Sequence, residues 1–177
     1  VDLLEINYGN TLSIASIEDQ PNWSRFESRL ASFTRLIRFD RRGIGLSDPF
    51  APSAPLRVED FVADCVAVLD AAGSPGAVAF GSSTGALVAL AFAAAHPERT
   101  TALVVVNGMA RLTRSPDYPC GVPPEVFDAF YEDVQSLDRD DEAVDDAALL
   151  APSMRGDQAF RAWWTRAGQQ GAGPATA

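Results

Sequence analysis

The stretch "GAVAFGSSTGALVALAFAAAHPERTTALVVVNG", Gly76 to Gly108, restricts the fold more than any other. "GAVAF" and "TALVVVN" are continuous apolar runs of strand length. "TGALVALAFAAAH" between them is a helix apolar nearly all round, and Pro97 stands directly after it, where a helix should stop. Strands that are apolar on both faces and alternate with helices require a parallel sheet covered on both sides. Between the first strand and the helix lies Gly81-Ser82-Ser83-Thr84-Gly85, which matches G-x-S-x-G. The spacing has a steric reason: a strand that turns directly into a helix brings the positions two before and two after the serine into collision unless they are small. Ser83 is thereby pushed into a strained conformation above the carboxyl edge of the sheet. The helix beginning near Thr84 directs unpaired amides and its positive dipole end to the same spot. Ser83 is the candidate nucleophile, the Thr84 N–H a candidate oxyanion donor, and Gly81 and Gly85 the glycines of the elbow.

The remaining pattern extends this unit. "VDLLEI" reads as a buried strand entering the loop "NYGN". "WSRFESRLAS" sets Trp23, Phe26 and Leu30 at helical spacing, and "TRLIRFD", Thr34 to Asp40, reads as a strand ended by a loop rich in Gly and Pro. "VEDFVADCVAVLDAAG" carries Val58, Phe61, Val62, Cys65, Val66 and Leu69 on one helical face, with Gly73 as its stop signal. The expected architecture is α/β: four strands and the elbow over residues 1–110. A helical segment over 111–177 follows, with no convincing strand and helical stretches around "PPEVFDAFYEDV" and "QAFRAWWTRAG". Four strands alone leave both sheet edges bare, so association through those edges is expected.

Composition limits the partners. A hydrophobic share of 47% is that of a globular chain. The net charge of −10 disfavours nucleic acid and anionic lipid. Every one of the 14 basic residues is Arg. Cys65 and Cys120 lack metal-ligand spacing and are expected as reduced thiols. No apolar run reaches the ~18 residues of a membrane span, and no secretory signal pattern opens the chain, so a cytoplasmic protein is expected. The chain starts on Val1, already in a strand pattern, and its tail "GQQGAGPATA" has no capping logic; a chain cut at both ends is expected.

Two other uses of the turn exist: Ser83 can simply cap a buried helix, or the turn can hold an anion. The second lacks the G-x-G-x-x-G and G-x-x-x-x-G-K-[ST] patterns. A serine nucleophile needs a base within about 3 Å, or one water further. The chain has a single histidine, His96. It lies 13 residues beyond Ser83, roughly 20 Å along a helix, at the end that points away from the elbow. His96 therefore reads as a cap for the helix end and not as the base. The residue after the fourth strand is Asn107, so no acid stands there. Asp40, with Arg41, Arg42, Gly43 and Gly45, reads as a turn-fixing carboxylate in preference to a catalytic one.

The stretches "RLASFTRLIRFDRRGIGLSDP", "AHPERTTALVVVNGMAR", "SPDYPCGVPPE" and "FRAWWTRAGQQGAGP" resemble the α/β-hydrolase fold. Within it they are most similar to actinobacterial hydrolase-like domains that precede a class III adenylate cyclase domain. The resemblance implies a partial α/β-hydrolase core, a serine elbow after the third strand, and the start of a helical cap. It implies a second oxyanion amide in the loop after the first strand, at Gly9 or Asn10. It implies a catalytic histidine and acid after later strands, which this chain does not contain, so the chain alone is expected to be inactive. The implied ligand is a small acyl or ester compound, with no cofactor and no metal. A cyclase domain following in the full protein is the implied partner, and a ligand-sensing role in place of catalysis is the alternative. In the cap, Phe127, Phe130, Tyr131, Phe160, Trp163 and Trp164 can line an acyl pocket or pack the cap on the core, the second being favoured. "DRDDEAVDD" reads as a solvated face without calcium-loop spacing.

Overall fold

The computed structural model describes residues 1–7, 12–49, 56–126, 128 and 151–171. Four parallel strands form one sheet in the order β2-β1-β3-β4. They are β1 (Asp2–Asn7), β2 (Arg35–Ile37), β3 (Ala77–Ser82) and β4 (Thr100–Val106). The helices are α1 (Ile14–Glu18), α2 (Pro21–Ala31), α3 (Val58–Ala71), α4 (Thr84–Ala95) and α5 (Gln158–Gly171). The crossovers from β2 over β1 to β3 and from β3 to β4 run in the same direction across the sheet, and α3 and α4 pack together on one face. The connection from β1 out to β2 runs the other way and puts α1 and α2 on the opposite face.

The period-2 alternation of β1 sorts its side chains between these layers. Leu4 and Ile6 are fully buried against Val62, Cys65, Leu69, Ala79, Val88 and Phe92, the core under α3 and α4. Burial there pushes the Cys65 thiol up to about 12, so it is inert at physiological pH. Cys120 is free and exposed. Helix α3 stops as its sequence indicates: Ala72 caps it and Gly73 takes φ +62°, with the Ser74 N–H reaching back to Leu69 O at 2.8 Å.

Two expectations are modified. Strand β2 ends at Ile37 and not at Asp40, because Leu4↔Ile37 is its last pair with β1. Beyond it the chain is drawn off the sheet: Ile14 N–H donates to Asp40 Oδ1 at 2.7 Å and Ser47 Oγ–H to Asp40 O at 2.5 Å. On α2, the residue buried is Glu27, while Phe26 is 43% exposed and lies against the Phe80 ring of β3. Strand β4, expected to be covered on both faces, is exposed throughout its Leu103–Val106 run.

Helix α5 is tied to the rest by an aromatic cluster. Trp163 is buried with Leu12, Ile17 and Ala167, and Phe160 and Trp164 stack around it. The Trp163 indole N–H donates to Ser16 O at 2.7 Å, and Gly45 N–H donates to Gly171 O at 2.9 Å. These three aromatics therefore pack α5 against α1. Phe127, Phe130, Tyr131 and the acidic run lie outside the described residues. Among those described, no helix is long and apolar enough to cross a membrane.

An edge strand with four neighbouring apolar side chains in solvent is an association hazard. The chain is expected to elute in size exclusion well above its 18.9 kDa mass at high concentration, and Val105→Lys to move it toward the monomer. Elution independent of concentration and of this substitution would count against the bare edge.

Candidate active site

The elbow forms where β3 runs into α4. Ser83 is the N-cap of α4, with φ 53° and ψ −125°, and its side chain makes no capping bond. A non-glycine residue in this region carries a strain of about 1–3 kcal/mol, which the surrounding structure must offset. Two backbone bonds do so: Ser83 N–H donates to Val106 O at 3.0 Å, and Ser83 O accepts from Ala86 N–H at 3.1 Å. Both Ser83 and Thr84 are exposed. The serine thus leaves its hydroxyl free, at the carboxyl edge of the sheet, between β1 and β4.

Glycine is required on the inner side of the turn. A Cβ on Gly81 would stand 2.5 Å from Gly85 O, 2.7 Å from Ala89 Cβ and 2.8 Å from Ala86 Cα. Gly81 lets the first turn of α4 lie directly on β3. Gly108 does the same from the other side: a Cβ there would fall 2.0 Å from Ala86 Cβ. Between β4 and Gly108 stands Asn107 at φ 49°, a conformation that Asn tolerates better than most residues. Neither Gly108 nor Asn107 was recognised as part of the elbow from sequence, although the pair "NG" after an apolar strand is a turn signal.

The first amides of α4, at Thr84 and Gly85, have no acceptors within the helix and point with its positive end toward Ser83. Opposite them, β1 ends at Asn7, which is in register with Ser82. Gly9 and Asn10, which follow β1 in the sequence, lie outside the described residues.

The structure does not bring His96 to Ser83. His96 is the C-cap of α4, its N–H bonded to Phe92 O, with its ring against Phe92 and Nδ1 3.4 Å from Glu98 Oε1. The 12-residue helix between the two residues is about 18 Å long. Asp40 is a turn carboxylate: besides Ile14 N–H it accepts from Leu46 N–H at 3.3 Å. Gly45, at φ 57°, lies so close that a Cβ would stand 2.2 Å from Asp40 Oδ2. Arg42 forms a two-pronged ion pair with Asp64, which fastens this loop to α3.

With this geometry in hand, the chain can be set beside known proteins. A family model described as alpha/beta hydrolase fold matches residues 19–171. A Caulobacter segnis protein provisionally named as the carbamate hydrolase RutD is 37% identical over 89 residues, 50% of this chain and 33% of that protein. A proline iminopeptidase of Xylella fastidiosa is 34% identical over 142 residues, 68% of this chain and 44% of the enzyme. The solved structure of an esterase from Exiguobacterium antarcticum superposes with a TM-score of 0.69 at 19% identity, covering 97% of this chain and 62% of the esterase. The chain therefore spans less than half the length of these two curated relatives.

The contacts of the elbow can be tested without any substrate. Gly81→Ala is expected to lower stability by about 1–3 kcal/mol, because backbone and not a flexible side chain must yield. Urea unfolding with an unchanged slope and a lower midpoint would agree, and an unaltered midpoint would show that the helix is not seated on the strand as described.

Proposed function

The chain belongs to the α/β-hydrolase fold family, and on that premise we propose that Ser83 is the nucleophile of a serine hydrolase acting on an ester or a related acyl compound. The observation that carries this is the backbone of Ser83: a strained φ of 53° at an exposed helix N-terminus, with the side chain bonded to no cap. A serine there merely to cap the helix would adopt the extended conformation and accept an amide, as Ser13 does for α1. Strain maintained at a residue whose side chain makes no capping bond supports a functional role there.

In the proposed reaction, Ser83 Oγ adds to the carbonyl carbon while its proton passes to a base. The carbonyl π electrons move onto oxygen, which the Thr84 N–H and a second amide from the Gly9–Asn10 loop would hold. Collapse of this intermediate expels the alcohol, which takes up the proton, and leaves the acyl group on Ser83. Water then attacks the acyl-enzyme and restores the serine. The names of the curated relatives, a carbamate hydrolase and a proline iminopeptidase, widen the acyl class to carbamates and peptide bonds.

The base is not His96, which sits a full helix length away, so the proposal places the histidine and its orienting acid outside these 177 residues. The alternative is a non-catalytic module that senses its ligand for an attached cyclase, since a fold does not fix its function.

The 177-residue chain is expected to hydrolyse p-nitrophenyl esters no faster than background. Vigorous turnover abolished by Ser83→Ala would overturn the placement of the base. In the protein extended by its genomic flanking sequence, a fluorophosphonate probe is expected to label Ser83, and Ser83→Ala to remove labelling and reduce turnover by several orders of magnitude. Ligand binding without labelling would favour the sensor.

A further inference from the structure

On the face of the sheet away from α3 and α4, two glutamates are buried together. Glu5 is the middle of β1, and alternation turns it away from the apolar core that Leu4 and Ile6 enter. Glu27 is on α2, which covers that face. Their side chains are 6% and 5% exposed. Both line one cavity of about 10 Å³, room for about one water, together with Asn7, Leu12, Arg38 and Asp40 among others.

The arrangement of charge is lopsided. Arg38, just beyond β2, gives one terminal nitrogen to Glu27 and the other to Glu18 at the end of α1. Asp40 spends its carboxylate on the amides of Ile14 and Leu46. Arg41 also lines the cavity. Two oxygens remain buried without a partner, Glu5 Oε2 and Glu27 Oε1. Two ionised carboxylates can only accept, so these two atoms cannot satisfy one another. One donor hydrogen between the two carboxyls would satisfy both oxygens.

We propose that Glu5 and Glu27 hold one proton between them, directly or through one water, and that this proton is a pH-sensitive latch fastening α2 to β1. A protonated Glu5 donates its O–H toward Glu27, and both orphaned oxygens are satisfied at once. Glu27 remains the anion, because Arg38 is its partner. When the proton leaves, two like charges share a dry site with one guanidinium, and α2 is pushed from the sheet. The latch bears on the strand whose end, Asn7, stands beside Ser82 at the elbow, but it does not depend on any reaction at Ser83.

Burial, then the neighbouring Glu27 charge, raise the Glu5 carboxyl to about 7, against a partial opposing effect of Arg38. Burial also raises Glu27. The sign follows from linkage: the folded chain retains a proton that the unfolded chain releases near pH 4.5. The stabilisation is full below about pH 4.5, is lost as pH rises toward about 7, and is constant above it.

The test is thermal and urea unfolding from pH 5 to 8.5 of the wild-type chain and of Glu5→Gln, whose amide keeps the shape and the donor. The two are expected to match at pH 5. At pH 8.5 the variant is expected to melt a few degrees higher, because its neutral group has no proton to lose. The same pH dependence in both chains, or a variant less stable than wild type at pH 8.5, would overturn the proposal. Should the variant fail to fold, carbon-13 NMR of the glutamate carboxyls in the wild-type chain decides: one glutamate titrating near neutrality is expected, and all titrating in the ordinary carboxylate range would overturn it.

Discussion

The contact on which the rest depends is the seating of α4 on β3 through Gly81. With no Cβ at that position, the carbonyl of Gly85 and the side chain of Ala89 come down onto the strand. That close approach forces the chain to reverse within Ser83, so the positive φ of Ser83 results from the packing beneath it. The direction of the first α4 amides, the exposure of the hydroxyl and the closeness of the β1 exit all follow from this one seat. Gly108 braces the same helix turn from the β4 side. A strain of this kind persists only because two independent glycine contacts and the bonds to Val106 and Ala86 over-determine the turn.

The two faces of the sheet are built on different physics. Under α3 and α4 the contacts are apolar and tight, with Leu4, Ile6, Leu69 and Phe92 essentially withdrawn from water. Under α1 and α2 the layer contains Glu5, Glu27 and Arg38, whose burial is favourable only if each polar atom finds a partner. The apolar face needs no protons to be stable; the polar face does. Helix α5 joins this second layer through Trp163, whose indole bonds the Ser16 carbonyl. The α1 and α2 layer is thus held by hydrogen bonds and aromatic contacts, while the opposite face is held by hydrophobic burial.

Much of this was legible beforehand, and for identifiable reasons. Residues 77–106 read correctly as strand, tight turn, helix and strand, because their apolar runs have strand and helix length and are punctuated by Gly81, Gly85 and Pro97. The role of Asp40 as a turn carboxylate and the remoteness of His96 also followed from local rules, side-chain reach and helical rise. Helix α2 read correctly as a helix from the spacing of Trp23, Phe26 and Leu30, but that spacing did not show that Glu27 is the residue inside. A lone glutamate within the apolar run of β1 was the available signal. Its meaning depended on a second glutamate 22 residues away and an arginine beyond that, which no periodicity connects.

By itself, then, the amino-acid order determined what short-range sterics and hydrophobic period control: the strands, the helices that follow them, and the glycine-flanked serine at their junction. Only the tertiary structure decided which charges share a cavity, that Gly108 supports the elbow from a neighbouring strand, that β2 leaves the sheet at Ile37, and that the flank of β4 stands open. These depend on distances between segments far apart in the chain, and burial of a charge or a Cβ has an energy only once its neighbours are in place.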